Sequence, residues 1–478
     1  MQLPDHKTKI VCTIGPASRS KGMLKKLMKS GMNVARLNFS HGNLDEHREN
    51  IQNIRSLSAQ LNLDVAILID LPGPKIRIGT LQHEPLLLKK GDNLTLTTRD
   101  VAGTASQISV NYEKLPQSVQ KGGIIYLNDG FIQLKVRDVS GDNVHCKVII
   151  GGSLLSHKGL NLPQAKLFLD AVTKKDLEFV DFGLSQGVDT FSISFVEKAA
   201  DILKVKQFAE ERGRSIYTVA KIERAEAVQN MDEILNVTDA IMVARGDLGV
   251  QIPIEHLPMV QKKLIRKANL LGRPVITATQ MLESMTENIR PTRAEVTDVA
   301  NAILDGTDAV MLSEESAIGK YPADAVKMMA KIAATVERQR NTAAPSSGIE
   351  SFFKSSLRRK NTAIEDVISM DAFEAARELE ARFILTPTHT GNTPRRISRF
   401  KPDCWVLSFT GIKHTHRFLA FSYGVHSFLM THPIEDWEAA ILSIIKELKL
   451  AKKDRKVILT EGKSKSGGTD SLRVVTLS

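Results

Sequence analysis

The stretch Tyr217-Thr-Val-Ala-Lys-Ile-Glu223 is a short apolar run that ends in a lysine and a glutamate. Seven more runs of this kind occur along the chain, and most are followed by an amphipathic stretch. They are residues 9–15, 33–40, 65–70, 190–195, 240–247, 274–280 and 308–313. Apolar runs that alternate with helices are typical of parallel strands buried on both faces. Eight such units predict an α/β fold, a closed (β/α)8 TIM barrel, with the active site at the carboxyl ends of the strands.

Side chains capable of chemistry collect at the ends of these runs. A hydrophobic core needs none of these groups, so an active site explains them better than packing does. They are Arg36, Asp70, Lys221, Glu223, Arg245, Asp247 and Thr279.

Composition narrows the class of protein and its partners. The chain has 478 residues, 42% of them apolar, and a formal net charge of +11. We expect no membrane span, because no apolar run is long enough. The three cysteines are far apart in sequence, which favours reduced thiols and a cytoplasmic location. The positive charge indicates either a solvated surface or anionic partners. With 5% aromatic residues and no zinc-finger spacing, we expect small phosphorylated metabolites and no nucleic acid.

Two segments differ from the barrel pattern. Between the third and fourth predicted strands, about a hundred residues alternate apolar and polar side chains and are broken by Gly, Asn and Asp, which predicts a small inserted β-barrel domain, able to close as a lid. A Pro/Ser/Gly linker at 341–348 precedes another alternating α/β pattern. The predicted domains are 1–71 with 171–345 (catalytic barrel), 72–170 (inserted lid) and 346–478 (C-terminal three-layer α/β domain, expected to be regulatory).

Lys221 and Glu223 are two residues apart at the end of a strand, so they point to the same face. A surface ion pair is the alternative, but the run before them is apolar and predicted to be buried. Magnesium takes one or two carboxylates and completes its shell with substrate oxygens and water, so Glu223 and Asp247 are candidate ligands. Lys221 would then neutralise charge on a transferring phosphoryl group or an enolate.

Three further segments carry candidate anion-binding groups. Glycines surround Asp247 in 244–249, which suits a seat for a substrate carboxylate or, alternatively, a capped turn. Arg36 could clamp a phosphate with its forked donors. Lys75 and Arg77, between the third strand and the insertion, would face the cleft. Alternatively, the Gly and Pro around them simply mark a hinge between two domains.

A separate phosphate nest is predicted in the last domain, where hydroxyl and amide groups follow a strand and precede Pro394. An ordinary Thr/Asn turn is the alternative. Distance from the barrel mouth favours an effector site. Its residues are Thr388, Thr390, Gly391, Asn392 and Thr393.

The chain resembles the pyruvate kinase family over essentially its whole length. The matching motifs, in the family's order, are Lys9-Ile-Val-Cys-Thr-Ile-Gly-Pro-Ala, Asn33-Val-Ala-Arg-Leu-Asn-Phe-Ser-His-Gly, Met242-Val-Ala-Arg-Gly-Asp-Leu-Gly, Thr277-Ala-Thr-Gln-Met-Leu-Glu-Ser-Met and Arg290-Pro-Thr-Arg-Ala-Glu. The resemblance implies transfer of the phosphoryl group of phosphoenolpyruvate to ADP, the last step of glycolysis, with Mg²⁺ or Mn²⁺. It also implies a homotetramer and a sugar-phosphate or AMP effector.

The resemblance assigns roles residue by residue. Lys221, Arg36, Thr279 and Ser313 take the catalytic positions, the last two through a water relay that protonates the enolate. Arg36, Gly246, Asp247 and Thr279 take the substrate positions, Glu223 and Asp247 those of the divalent metal, and His41, Arg77 and Lys158 those of the nucleotide. Asn38, Ser40 and Asp70 match the monovalent-cation ligands.

This chain departs from the commonest family pattern near that monovalent site. Leu71 stands where many members have Thr, and Lys75 stands where many have Glu. A fixed ammonium group near the potassium position would supply the same charge, so we expect an enzyme that does not require K⁺. Two other functions remain alternatives from the residues alone. One is a barrel lyase or mutase acting through an enolate, and the other is a non-catalytic sugar-phosphate sensor or RNA-binding protein.

Overall fold

The computed structural model describes residues 3–163, 165, 167–343, 349–351, 363–431, 436–450, 453–462 and 468–477. The core of the predicted linker, 344–348, lies outside these ranges. Among the described helices, none combines the length and hydrophobicity needed to cross a bilayer.

Eight parallel strands form a closed barrel, as the sequence predicted. The first strand pairs with the last through Lys9 and Ala309, which closes the ring. The strands are Lys9–Thr13, Val34–Asn38, Ala66–Leu71, Thr190–Ile193, Tyr217–Ile222, Ala240–Ala244, Val275–Ala278 and Ala309–Leu312. Most strands end one to three residues before the predicted run does. The largest difference is in the run over 240–247, where the strand ends at Ala244 and a helix begins at Arg245.

Helices surround the barrel and several begin with side-chain caps. Thr173 and Thr292 each form a capping box, which satisfies free N–H groups at the helix start. The α-helices are Lys21–Ser30, Leu44–Leu61, Lys174–Ser185, Ala199–Glu210, Ala225–Gln229, Met231–Val237, Arg245–Gln251, Leu257–Leu270, Arg293–Leu304, Glu314–Ala317 and Pro322–Ala343, with 3-10 turns at Ile254–His256 and Glu283–Thr286.

The inserted segment forms a six-stranded sheet and a two-stranded sheet. In spatial order the larger sheet contains Leu160–Asn161, Ile124–Leu127, Ile132–Ser140, Asn143–Ile150, Asn93–Thr97 and Gln107–Ser109; Leu86–Leu88 pairs with Gly152–Leu154, and Leu115–Ser118 is a short helix. The last pair of the larger sheet is parallel, and the other pairs are antiparallel.

Residues 76–79 join the two edges of that larger sheet. The amide of Leu160 donates to Ile76 O over 3.0 Å, and the amide of Gly79 donates to Ser109 O over 2.9 Å. Backbone bonds on both sides of one short segment close the sheet around its own apolar core. The inserted unit is therefore a small barrel, and its closing segment is the chain that enters it from the catalytic barrel.

The C-terminal unit is a five-stranded sheet covered on both faces. Its order is Val425–Leu429, Trp405–Thr410, Phe383–Pro387, Lys456–Glu461 and Ser471–Thr476, and only the last strand is antiparallel. Ile384 and Ile397 belong to one apolar cluster and Leu385 and Ile441 to another, which gives three layers. The helices are Ile364–Glu378, Asn392–Ser398, Lys413–Phe418 and Trp437–Glu447, with a 3-10 turn at Leu419–Phe421.

The C-terminal unit docks on the amino ends of the barrel strands. Phe418 and Phe421 join the apolar interior of the barrel, where Phe418 stacks on Tyr217 with ring centroids 4.0 Å apart. Lys401 Nζ lies 2.7 Å from Asp308 Oδ1 at the same end. The carboxyl ends of the strands are left for the inserted unit, so the predicted active site faces the cleft between the two barrels.

Candidate active site

Lys221 is buried at the carboxyl end of the strand Tyr217–Ile222, with 9% of its surface exposed. Its Nζ donates to Ser194 Oγ over 2.7 Å and lies 2.8 Å from Glu223 Oε1 and 3.4 Å from Asp70 Oδ1. Burial lowers the pKa of Lys221, but Asp70 and Glu223 outweigh it and hold the pKa above its ordinary value. The side chain is therefore a fixed positive charge at the mouth of the barrel.

Asp70 lies between two cations. Arg36 donates to its Oδ2 from Nε over 2.8 Å and from Nη2 over 2.5 Å, and Ser192 Oγ donates to Oδ1 over 2.7 Å. Burial alone would raise the pKa of Asp70, yet Lys221 and Arg36 lower it below its usual range. Arg36 also donates from Nη1 to Thr13 Oγ1 over 2.8 Å. Since a guanidinium has five N–H donors, Arg36 keeps some for an incoming phosphate.

Glu223 is buried, and each of its oxygens has a partner. Oε1 faces Lys221, and Oε2 accepts a hydrogen bond from the Phe195 amide over 2.9 Å. Burial raises the pKa of the Glu223 carboxyl; Lys221 opposes this, and the nearby Asp247 carboxylate adds to it.

Glu223 and Asp247 together fit a divalent cation. Two carboxylates that raise each other's free energy are relieved by a bound positive ion, and both offer the oxygen ligands that Mg²⁺ prefers. Across the described residues, no group of three or more His, Cys, Asp and Glu side chains could hold a metal by itself. The remaining ligands would have to be substrate oxygens and water, which is usual for Mg²⁺.

Asp247 belongs to the helix Arg245–Gln251, and the start of this helix is tied to the next strand. The Gly246 amide donates to Thr279 Oγ1 over 2.8 Å. Thr279 and Gln280 have positive φ angles of 67° and 54°, a conformation that costs a non-glycine residue about 1–3 kcal/mol. This strained turn brings the Thr279 hydroxyl beside the Gly246 amide, and Asp247 is the next residue in the chain.

Arg245 holds that turn in place. Its Nη2 donates to Thr279 O over 2.7 Å and its Nε to Ala278 O over 3.2 Å, while Nη1 pairs with Asp298 Oδ2 at 2.7 Å. The guanidinium is thus occupied by backbone carbonyls and a carboxylate. Its role is to position Thr279, which its place in the sequence did not reveal.

Ser313 lies just after the last barrel strand. Its amide donates to Glu315 Oε2 over 2.7 Å, and Glu315 Oε1 accepts from the Leu282 amide over 3.0 Å. Glu315 therefore joins the loops that follow the seventh and eighth strands. The Ser313 hydroxyl is buried without a hydrogen-bond partner among the described residues, so it is available to an incoming polar group.

The predicted monovalent-cation residues lie at the carboxyl ends of the second and third barrel strands. Asn38 and Asp70 are partners in adjacent strands, and Asn38 Oδ1 accepts from the Ser40 amide over 3.1 Å. Asp70 is already paired with Arg36 and Lys221, and Leu71 beside it is buried and has no side-chain oxygen to offer. The set therefore has fewer free oxygens than the sequence motif alone suggests.

The predicted nucleotide residues come from both sides of the cleft. Arg77 and Gly159 form a bridge in the inserted barrel, next to Lys158, and Arg77 Nη1 donates to His157 O over 2.9 Å. Burial lowers the pKa of His41, and the charges of Arg77, Lys75 and Arg36 lower it further. His41 on the barrel side therefore faces cations of the inserted barrel and its entry segment.

The predicted effector residues form a compact turn in the C-terminal unit. Thr388 Oγ1 accepts from the Gly391 amide over 2.9 Å, and Thr390 Oγ1 accepts from the Asn392 amide over 3.4 Å. Thr393 Oγ1 lies 2.5 Å from Thr469 Oγ1, so this turn meets the chain just before the last strand of the C-terminal sheet.

Several residues of the site were absent from the sequence predictions, and three of them contact Asp70, Lys221 or Glu223 directly. Ser192 donates to Asp70, Ser194 accepts from Lys221, and Phe195 donates its amide to Glu223. The alternation Thr190-Phe-Ser-Ile-Ser could have indicated that Ser192 and Ser194 share a face. The contact between Phe195 and Glu223 is made by the backbone amide, so residue type could not have indicated it.

Comparisons with known proteins place the chain among one family of enzymes. Residues 5–326 match the family model described as the barrel domain of pyruvate kinase, and residues 366–475 match the model of its alpha/beta domain. A pyruvate kinase of Thermococcus litoralis is 50% identical over 482 aligned positions, which cover 99% of each chain.

Other relatives are similar over most of their length. Pyruvate kinase 2 of a Synechocystis species is 43% identical over 98% of this chain and 79% of that protein. A solved structure of a pyruvate kinase from Cryptosporidium parvum superposes with a TM-score of 0.91 at 38% identity, covering 99% of this chain and 97% of that one.

Proposed function

The chain belongs to the pyruvate kinase family, and on that premise we propose how its residues carry out the family's reaction. The enzyme transfers the phosphoryl group of phosphoenolpyruvate to ADP, giving pyruvate and ATP, and members of the family use a divalent metal. One observation carries the residue assignment: Lys221 Nζ lies within 3.4 Å of both Asp70 and Glu223. The negative charge of Asp247 adds to it, because that charge raises the pKa of Glu223.

Arg36, Lys221, Gly246 and Thr279 bind and orient phosphoenolpyruvate. Arg36 takes the phosphate with the N–H groups that Asp70 and Thr13 leave free. Gly246 and Thr279 seat the carboxylate. Lys221 stabilises negative charge on the transferring group and on the enolate oxygen, and its fixed position means that no reorganisation is needed during the reaction.

Glu223 and Asp247 hold the divalent ion, which we propose to be Mg²⁺ in the cell. When bound, the ion neutralises charge on the phosphate and the enolate. His41, Arg77 and Lys158 hold the phosphates of ADP as the inserted barrel closes over the cleft. The Ser313 hydroxyl, which has no hydrogen-bond partner within the described part of the chain, and Thr279 hold the water that protonates the enolate at carbon.

The metal assignment predicts how Mn²⁺ binding depends on pH. Because the pKa of Glu223 is raised, a proton competes with the metal as the pH falls, and apparent Mn²⁺ affinity should drop toward acid. Glu223→Gln should weaken binding at neutral pH by about 10–100-fold or more, since loss even of outer metal contacts costs this much. Electron paramagnetic resonance of free Mn²⁺, titrated at several pH values, measures both effects.

A surface carboxylate provides the control for this titration. Glu211 is exposed, just after the helix Ala199–Glu210, and its carboxylate accepts a hydrogen bond from Gln207 Nε2 over 3.2 Å. Glu211→Gln should bind Mn²⁺ as the native enzyme does, at every pH. Native-like affinity in Glu223→Gln would remove that residue from the metal site.

We further propose that the enzyme works without K⁺. Asp70 is neutralised by Arg36 and Lys221, Leu71 offers no oxygen, and Lys75 adds a fixed charge beside His41. Adding K⁺ to an assay free of Na⁺ and K⁺ should therefore raise turnover by less than about tenfold, or 1.4 kcal/mol of barrier.

A double variant tests which residues confer this property. Leu71→Thr with Lys75→Glu restores an oxygen and a negative charge, and its turnover should become dependent on K⁺. Lys89→Glu, an exposed change in the inserted barrel, should leave the K⁺ response unchanged. A tenfold or larger activation of the native enzyme by K⁺ would refute the proposal.

The remaining proposals concern assembly and regulation. We propose the domain boundaries given above, a cytoplasmic location suited to phosphoenolpyruvate and ADP, and a homotetramer. The exposed apolar side chains Ile254, Met259 and Ile289 support subunit contacts. The turn Thr388–Thr393 supports a sugar-phosphate or AMP effector, because its hydroxyl and amide groups are grouped in one compact loop.

A further inference from the structure

Phe195 adopts an unfavourable backbone conformation at the edge of the active site. It follows the strand Thr190–Ile193 and has a φ angle of 56°. For a bulky side chain this left-handed conformation is a genuine outlier and costs about 1–3 kcal/mol. The conformation directs the Phe195 amide to Glu223 Oε2, 2.9 Å away. Such strain persists only where the surroundings enforce it.

The ring of Phe195 packs against the hinge of the inserted barrel. A Cβ atom on Gly73 would lie 2.8 Å from Phe195 Cδ2, 3.3 Å from Ser194 Cβ and 3.4 Å from Ala171 O. Gly73 belongs to the segment that leaves the catalytic barrel, and Ala171 to the segment that returns. Both crossings between the two barrels therefore meet at Gly73, beside the Phe195 ring, and only glycine leaves room for this arrangement.

The residue before Phe195 makes a parallel connection. Ser194 Oγ donates to Leu71 O over 2.7 Å and accepts from Lys221 Nζ over 2.7 Å. Leu71 is the last residue of the barrel strand that runs into the hinge. One two-residue turn thus contacts the hinge on one side and, on the other, both the lysine and a proposed metal ligand.

We infer that Phe195 is a positioning residue that links the inserted barrel to the catalytic groups. When the hinge rotates, the ring moves with Gly73 and Ala171, and the Phe195 amide and Ser194 hydroxyl shift against Glu223 and Lys221. Closure over the nucleotide would then align the metal ligand and the lysine, so phosphoryl transfer is favoured only when ADP is covered. This inference rests on the proposed function of the inserted barrel as a nucleotide lid.

Phe195→Ala tests the link because it removes the ring but keeps the amide. We expect turnover to fall about tenfold while KM for phosphoenolpyruvate stays within about twofold, since small misplacements of catalytic groups reduce rate steeply. Hydrogen exchange supplies the second readout. In the native enzyme with Mg²⁺, adding ADP should change exchange in residues 73–75 and in 216–224. In Phe195→Ala the first response should remain and the second should be lost.

Two further variants keep the experiment decisive. Phe208→Ala removes a ring that stacks on Arg212 of the barrel surface, and it should match the native enzyme in both readouts. Phe195→Leu keeps apolar volume without the ring and replaces Phe195→Ala if the latter unfolds; the same two responses are expected.

Native turnover in the Phe195 variants would overturn the link while leaving the proposed function intact. The same holds if residues 216–224 respond to ADP in those variants as they do in the native enzyme. A native enzyme that shows no response to ADP in residues 73–75 would overturn the lid assignment and the link together.

Discussion

Lys221→Met is expected to lower turnover by about 10²–10³ or more, the usual loss when one preorganised charge stabiliser is removed. Lys221 Nζ lies 2.8 Å from Glu223 and 3.4 Å from Asp70, so it is a positive charge fixed before substrate arrives. Methionine has similar length and no charge. Because the charge acts on the enolate and the transferring group, the loss should appear in kcat more than in KM for phosphoenolpyruvate.

Folding should survive this substitution. Asp70 keeps Arg36 and Ser192 as partners, and Glu223 keeps the Phe195 amide. Circular dichroism and thermal unfolding of the variant check this point. Lys262→Met, on an outer helix, is the matched control and should keep native turnover. Turnover near that of the native enzyme in Lys221→Met would remove the lysine from its catalytic role.

Asp308→Ala is expected to cause the largest loss of stability. The buried carboxylate accepts from Lys401 Nζ over 2.7 Å, the Tyr423 amide over 3.0 Å and the Val275 amide over 3.0 Å. Lys401 and Tyr423 belong to the C-terminal unit, so Asp308 joins it to the barrel floor. Removing one partner of a buried pair leaves an uncompensated charge and costs about 3–5 kcal/mol. Urea unfolding measures the change.

Two comparisons make that result specific. Asp324 and Lys327 form an exposed pair at 3.5 Å, and Asp324→Ala should cost no more than about 1 kcal/mol. In the double variant Asp308→Ala/Lys401→Met, the stranded ammonium is gone, and part of the lost stability should return. An Asp308→Ala enzyme as stable as the native one would contradict the account of the docking interface.

The barrel was predictable because each strand is an apolar run long enough to be buried on both faces. The spacing of apolar residues along the chain and the burial of a strand both depend on residue type, and residue type can be read from any sequence. The same argument found Lys221, Glu223 and Thr279, since charged or polar residues at the ends of buried strands have few structural reasons to be there.

Other features depend on backbone geometry, which residue types do not report. Phe195 is an uncommon residue for positive φ, so nothing in the sequence indicated that its amide would face Glu223. Arg245 was grouped with the candidate active-site residues at the strand ends, but its donors reach the Thr279 carbonyl. The strand that was expected to reach residue 247 ends at Ala244, because the backbone turns into a helix at Arg245. In each case a local turn decided the outcome.

Pyruvate formation from phosphoenolpyruvate and ADP, followed in a coupled assay with and without Mg²⁺, tests the central claim most directly. The arrangement of Lys221, Glu223 and Asp247 predicts pyruvate and ATP in equal amounts, only when both ADP and the metal are present. Pyruvate released without ADP would point to a lyase or phosphatase reaction at this site, and a rate unaffected by removing the metal would contradict the role of Glu223 and Asp247.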